Sequence, residues 1–136
     1  MTHIQVGIDS VNVTDVAGSI ERFGNRYVQR VFTEQEAAYC LAASAGVAAE
    51  RFAVRFAAKE ATLKALQLDT PSANWRSIEV RRRPSGSCDV VLHGETAALA
   101  TRQGVESLAL SMSHHADHAT AVVVAQFAAR ARYEVS

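Results

Sequence analysis

Two carboxylates and a lysine are where this chain could do chemistry. Asp9 follows the apolar alternation of Ile4, Val6 and Ile8. Glu60 and Lys64 lie in Ala57-Ala58-Lys59-Glu60-Ala61-Thr62-Leu63-Lys64, which holds both lysines of a chain with twelve arginines. Carboxylates are hard oxygen ligands suited to Mg²⁺ or Mn²⁺, and Mg²⁺ usually completes its shell with water and substrate phosphate oxygens. A lysine one helical turn from such a ligand would face the same phosphates. Each residue also has a plainer reading. Glu60 and Lys64 form an i,i+4 helix pair worth roughly 0.2–0.5 kcal/mol, and Asp9 suits a turn or cap where a strand gives way to a helix.

A second concentration lies in Ser111-Met112-Ser113-His114-His115-Ala116-Asp117-His118, which holds three of the five histidines. Imidazoles suit transition metals. Neighbouring side chains on a strand point to opposite faces, so His114 and His115 cannot share one zinc ion, and one of the pair faces a pocket while the other faces solvent. Arg81-Arg82-Arg83 has no interleaved aromatics and reads as a solvated strand edge that blocks sheet extension. Cys40 and Cys88 lack zinc-ligand spacing and read as small buried hydrophobes.

The elements that must hold these groups follow from periodicity. The alternation ending at Asp9 predicts a half-buried strand with Asp9 at its end. Val16, Ile20, Phe23, Tyr27 and Val31 predict an amphipathic helix with a weak point at Gly24, its exposed side carrying Arg22, Arg26 and Arg30. Thr33 and Glu36 have capping-box spacing, and the helix they open runs to about residue 44 and ends near Gly46. Phe52, Phe56, Leu63 and Leu66 predict a third helix over 49–66. A loop at 69–74 precedes a hairpin through Ile78, Val80, Val90 and Leu92 that turns at 83–87. A short helix over 95–102 and strands around 108–112 and 119–125 complete the chain, with 128–136 frayed or forming a short helix. Strands joined by short turns favour antiparallel pairing, so the fold class is α+β, a small antiparallel sheet with helices packed on one face.

The 136 residues make one domain, 1–136, and 49% hydrophobic residues suffice for an ordinary core. Fourteen basic and fourteen acidic side chains cancel, so no global field recruits nucleic acid or an anionic membrane. The longest apolar run falls far short of the ~20 residues of a spanning helix. The N-terminal residues lack the pattern of a secretory signal, and the expected compartment is the cytoplasm.

Gly7-Ile8-Asp9, Arg55-Phe56-Ala57-Ala58-Lys59-Glu60-Ala61-Thr62-Leu63-Lys64 and Ser111-Met112-Ser113-His114 occur together and in order, with Arg26-Tyr27, Arg30, Phe32-Thr33 and Glu36 between them. On these residues the whole chain resembles the holo-acyl-carrier-protein synthases, short 4'-phosphopantetheinyl transferases. The resemblance implies that fold, and transfer of 4'-phosphopantetheine from coenzyme A to a serine of an apo acyl carrier protein, as in fatty acid biosynthesis, with release of adenosine 3',5'-bisphosphate. It implies Asp9 and Glu60 as ligands of Mg²⁺ (or Mn²⁺), and Lys64 opposite them on the pyrophosphate. Arg55 and His114 would contact the nucleotide phosphates, and Gly86 would let backbone approach the adenine. Arg26, Tyr27 and Arg30 match carrier-protein docking positions, and the assembly implied is a homotrimer with shared sites. Where the family has Gly-Thr-Gly after the second lysine, this chain has Gln67-Leu68-Asp69, and Asp15 replaces a basic residue of the first helix. A paralogue dedicated to a special carrier of polyketide or lipid synthesis is one alternative. A non-catalytic carrier- or nucleotide-binding module and a thioesterase-like enzyme acting on coenzyme A esters are the others.

Overall fold

A computed structural model describes residues 3–69 and 74–129; most of the 69–74 loop and the terminal segment from 130 onward lie outside the described residues. The order is β1 (His3–Asn12), α1 (Val13–Phe23), α2 (Asn25–Val31), α3 (Glu34–Leu41), α4 (Ala45–Leu66), a single 3₁₀ turn (Trp75–Ser77), β2 (Ile78–Arg82), β3 (Cys88–Leu92), α5 (Gly94–Gln103), β4 (Val105–His115) and β5 (His118–Phe127). Among the described residues the strands form not one sheet but two, a three-stranded sheet in the order β1-β5-β4 and the hairpin β2-β3, all antiparallel.

Helix α4 is the axis of the molecule. It is buried on nearly all sides from Phe52 to Leu66, touching the large sheet, the hairpin, α1 and α3. A helix buried all round needs small residues where neighbours come close, which is why alanine dominates it. One core gathers Phe32 and Phe52, each 1% exposed, with Val28 and Val31 beside its first half. A second gathers Ala57, Ala61, Ala65 and Leu66 against Ala121, Val123 and Phe127 of β5.

Three expectations need correction. Strand β1 continues to Asn12, so Asp9 lies inside the strand, paired with Ala121, and not at its end. The alternation faces the opposite way to a buried apolar stripe: Ile4, Val6 and Ile8 are 62%, 60% and 57% exposed, while Gly7 and Asp9 turn toward α4. The cause is close approach, since a Cβ built on Gly7 would stand 1.9 Å from the Ala61 carbonyl oxygen and 2.7 Å from the Ala65 nitrogen. Gly46 does not end a helix. Helix α3 stops at Leu41, and Gly46 sits in the first turn of α4, which begins four residues earlier than expected.

The weak point at Gly24 becomes a full break, with Gly24 at φ +57 between α1 and α2. The capping box forms as expected, Glu36 N donating to Thr33 Oγ1 at 3.2 Å and Thr33 N to Glu36 Oε1 at 2.9 Å. Cys40 and Cys88 are both free thiols, and Cys40 is fully buried.

Candidate active site

Strand alternation puts Asp9 on the face of β1 that Gly7 presses against α4, and the helix brings Glu60 and Lys64 to it from the opposite side. Lys64 Nζ donates to Asp9 Oδ1 at 3.0 Å and to the Ile8 carbonyl at 2.9 Å, spanning strand and helix. The Asp9 side chain is 11% exposed, and its Oδ2 is buried with no hydrogen-bond donor. The Glu60 carboxyl is pushed up to about 7, first by burial, then by the hydrogen bond its protonated form makes to Asp9 and by the Asp9 charge, with Lys64 opposing. Two carboxylates whose charges one lysine does not fully offset are relieved either by a proton on Glu60 or by a hard cation. The donor set therefore fits a divalent ion such as Mg²⁺, with its other positions left to water and phosphate oxygens. Among the described residues no group of three or more His, Cys, Asp or Glu side chains is placed to hold a metal ion.

Tyr27 borders the carboxylates. Its phenol is raised to about 12 by burial and by the Glu60 charge. It also lines a cleft of about 460 Å³ with Phe23, Arg26, Arg30, Val31, Phe56 and Trp75. Arg26 and Arg30 are exposed, so the three expected docking residues line one apolar groove. Phe23, Phe56 and Trp75 escaped the sequence reading because helical spacing assigned the first two to the core and Trp75 follows a loop. A separate hollow of about 390 Å³, whose lining includes Thr33, Ser77, His93 and Thr96, contains none of the expected site residues.

Arg55 is only 5% exposed, so it is no surface cation. Its guanidinium carbon lies 4.6 Å from the centre of the Tyr39 ring, which Arg51 and Arg82 also approach, at 4.2 and 5.4 Å. Arg55 Nη1 donates to the Arg51 carbonyl at 3.3 Å, and its Nε is buried without an acceptor. Gly86 has φ +93, left-handed backbone that favours glycine, and a Cβ there would stand 3.5 Å from Arg82 Nη2. Tyr39 and Arg82 thus link Arg55 to the hairpin turn. Arg51 was readable as the residue one turn before Arg55, while Arg82 was hidden in a run read as a strand edge.

His114 stands apart. Its Nε2 is 3.9 Å from Glu50 Oε2 near the start of α4, ten residues before Glu60 and so about 15 Å along the helix at 1.5 Å per residue. In one chain, Asp9, Glu60, Lys64 and Tyr27 come together, Arg55 and Gly86 form a second group, and His114 sits at the far end of α4.

The 4'-phosphopantetheinyl transferase superfamily model matches residues 5–123. The chain is 43% identical over 119 residues to a holo-[acyl-carrier-protein] synthase of Koribacter versatilis, covering 87% of this chain and 94% of that protein. It is 39% identical over 120 residues to the synthase of Desulforudis audaxviator, covering 88% and 90%. Among solved structures, the Chronobacterium ammoniagenes synthase in complex with coenzyme A superposes with a TM-score of 0.82 at 33% identity, covering 93% of this chain and 99% of that one. The Helicobacter pylori synthase, also in complex with coenzyme A, gives 0.76 at 28% identity over 88% and 98%. With the family model matching residues 5–123, relatives about 40% identical along most of the chain and the fold shared with solved synthases, this chain belongs to the holo-acyl-carrier-protein synthase family of the 4'-phosphopantetheinyl transferase superfamily.

Proposed function

We propose that this protein transfers 4'-phosphopantetheine from coenzyme A to a serine hydroxyl of an apo acyl carrier protein and releases adenosine 3',5'-bisphosphate. The observation that carries the reading is the Asp9 and Glu60 pair held against Lys64, with Tyr27, which feels the Glu60 charge, lining an apolar cleft together with Arg26 and Arg30. Asp9 and Glu60 would hold Mg²⁺, which when bound offsets charge on the pyrophosphate and on the departing oxygen. Lys64, its side chain 56% exposed, swings from Asp9 to a phosphate oxygen. Arg26 and Arg30 steer an acidic carrier to the cleft, and Tyr27 and Phe56 exclude water beside the reacting serine. Phosphoryl transfer is mostly positioning and electrostatics, so a modest base suffices, and Glu60 is our choice for the acceptor of the serine proton.

Arg55 and His114 in this reading meet the nucleotide phosphates, and Gly86 the adenine. A homotrimer with shared sites fits two observations: the apolar outer face of β1, and the separation of His114 from Glu60 along α4. Val6→Lys on that face would then give monomers by light scattering, and Glu60→Ala with His114→Ala would recover partial activity on co-expression. Among the described residues no helix is long and apolar enough to cross a membrane, which agrees with the cytoplasmic placement we favour.

Incubation with coenzyme A and a panel of apo carriers tests the reading. Adenosine 3',5'-bisphosphate and a phosphopantetheinylated serine are expected, and both vanish in excess EDTA and in Asp9→Ala. Free thiol from a coenzyme A ester, without carrier modification, would mark a thioesterase instead. Undiminished transfer in EDTA would refute the two-carboxylate metal site.

A further inference from the structure

The proposed chemistry uses Lys64 and leaves Lys59 idle, yet Lys59 is the lysine the fold buries completely, at 0% exposure. Its ammonium carries three protons and meets three acceptors: Glu36 Oε1 at 2.8 Å, the Trp75 carbonyl at 3.1 Å and the Ile78 carbonyl. Glu36, 2% exposed, accepts from Val80 N at 2.8 Å with its other oxygen and closes the α3 capping box with the first. Burial lowers the Lys59 pKa and Glu36 opposes that shift.

Stability alone does not account for this arrangement, because apolar residues of similar volume commonly replace a buried ion pair at no net cost. What a methionine cannot do is hold chosen oxygens in place. Two of the three oxygens belong to the backbone at either end of the 3₁₀ turn that leads into β2, and one of them is that of Trp75. The Trp75 ring packs on Phe56 at 5.2 Å between centroids, and the two rings wall the cleft that Arg26, Tyr27 and Arg30 border.

We propose that Lys59 is a positioning residue for carrier recognition: by gripping the Trp75 and Ile78 carbonyls from the adjoining turn of α4, it fixes the Trp75 ring as a wall of the docking cleft. The cleft then receives an apolar side chain that the carrier presents between carboxylates, the carboxylates meeting Arg26 and Arg30. This deepens the carrier-transfer reading and rests on it.

Trp75 is the only tryptophan in the chain, so its fluorescence reports the wall directly. Lys59→Met combined with Glu36→Gln removes both charges, preserves volume and leaves an acceptor for the capping box. Expected are a folded protein, a carrier KM raised about 5- to 10-fold, a coenzyme A KM within about twofold of wild type, red-shifted Trp75 emission and stronger quenching by acrylamide. Trp75→Ala, a part-buried site, should raise carrier KM by a similar factor, and adding it to the double variant should raise KM no further. A purely structural role would lower the folded fraction without splitting the two KM values. Unchanged carrier KM in the folded double variant, or equal changes in both KM values, overturns the proposal. Should the double variant not fold, unchanged carrier KM in Trp75→Ala overturns it instead. A wild-type protein that modifies no carrier would overturn the transfer reading, and with it the recognition role. The emission shift would still report whether Lys59 holds Trp75.

Discussion

Replacing Glu60 by glutamine should abolish transfer and stabilise the protein. The Glu60 carboxyl is raised from 4.5 to about 7 by burial and by Asp9, so in the cation-free site folding favours the protonated form. At about 1.36 kcal/mol per pKa unit the shift corresponds to ~3 kcal/mol. Glu60 is only part-buried, and solvent screening reduces this to ~1–2 kcal/mol. The sign follows from linkage: a raised folded pKa gives stability that is complete below the unfolded value and is lost as pH climbs through the folded one. Wild type in EDTA should therefore weaken between pH 4.5 and 7, while Glu60→Gln, which cannot ionise there, should not. At pH 8 the variant should melt ~4–8 °C higher, taking about 4 °C per kcal/mol for a chain of this size. At pH 4.5 the two should coincide. Adding Mg²⁺ at pH 8 should raise the wild-type Tm and leave the variant nearly unmoved. Calorimetry or dye-reported melting across this range decides it. A variant that melts below wild type at pH 8 in EDTA would show that Glu60 is not under like-charge pressure, and the metal-site argument would lose its electrostatic basis.

Gly7→Ala should destabilise by at least about 3 kcal/mol, because its methyl would overlap backbone atoms of α4 that cannot rotate away; denaturant titration measures it. Arg26→Ala and Arg30→Ala should raise carrier KM several-fold with little effect on coenzyme A KM, and the effect should shrink as salt increases. Steady-state kinetics at two ionic strengths would refute it if carrier KM stays unchanged at low salt. Gln67→Gly should stabilise by roughly 0.5–1 kcal/mol, since Gln67 caps α4 with φ +56, a conformation that suits glycine; an unchanged Tm would refute the strain.

Local rules made the elements legible and left their sides hidden. Helix α4, the capping box at Thr33 and the hairpin turn at Gly86 follow from spacing and turn chemistry, which act within a few residues. Ile4, Val6 and Ile8 show the limit: alternation identifies a strand, but which face meets a helix depends on what lies opposite, and here glycine and aspartate do. The Asp9, Glu60 and Lys64 group was legible because residue type and helical spacing define it. The Tyr39 cluster and the Lys59 clamp were not, because each joins residues far apart in the chain whose separate readings were ordinary. Gln67 lies between: its departure from a glycine-rich loop was visible in sequence, and the structure supplies the positive φ that makes it matter.

At Gly7 the strand and the helix meet backbone to backbone, with no side chain between them. The span from Asp9 to Glu60 is therefore set by main-chain geometry two residues from the one and one residue from the other. Elsewhere in the core a volume change can be absorbed by neighbours that repack, but at this junction there is nothing to repack. The carboxylate pair is thereby insulated from volume changes made elsewhere in the core. The same junction offers no room for gradual adjustment, so a change there is accepted whole or lost.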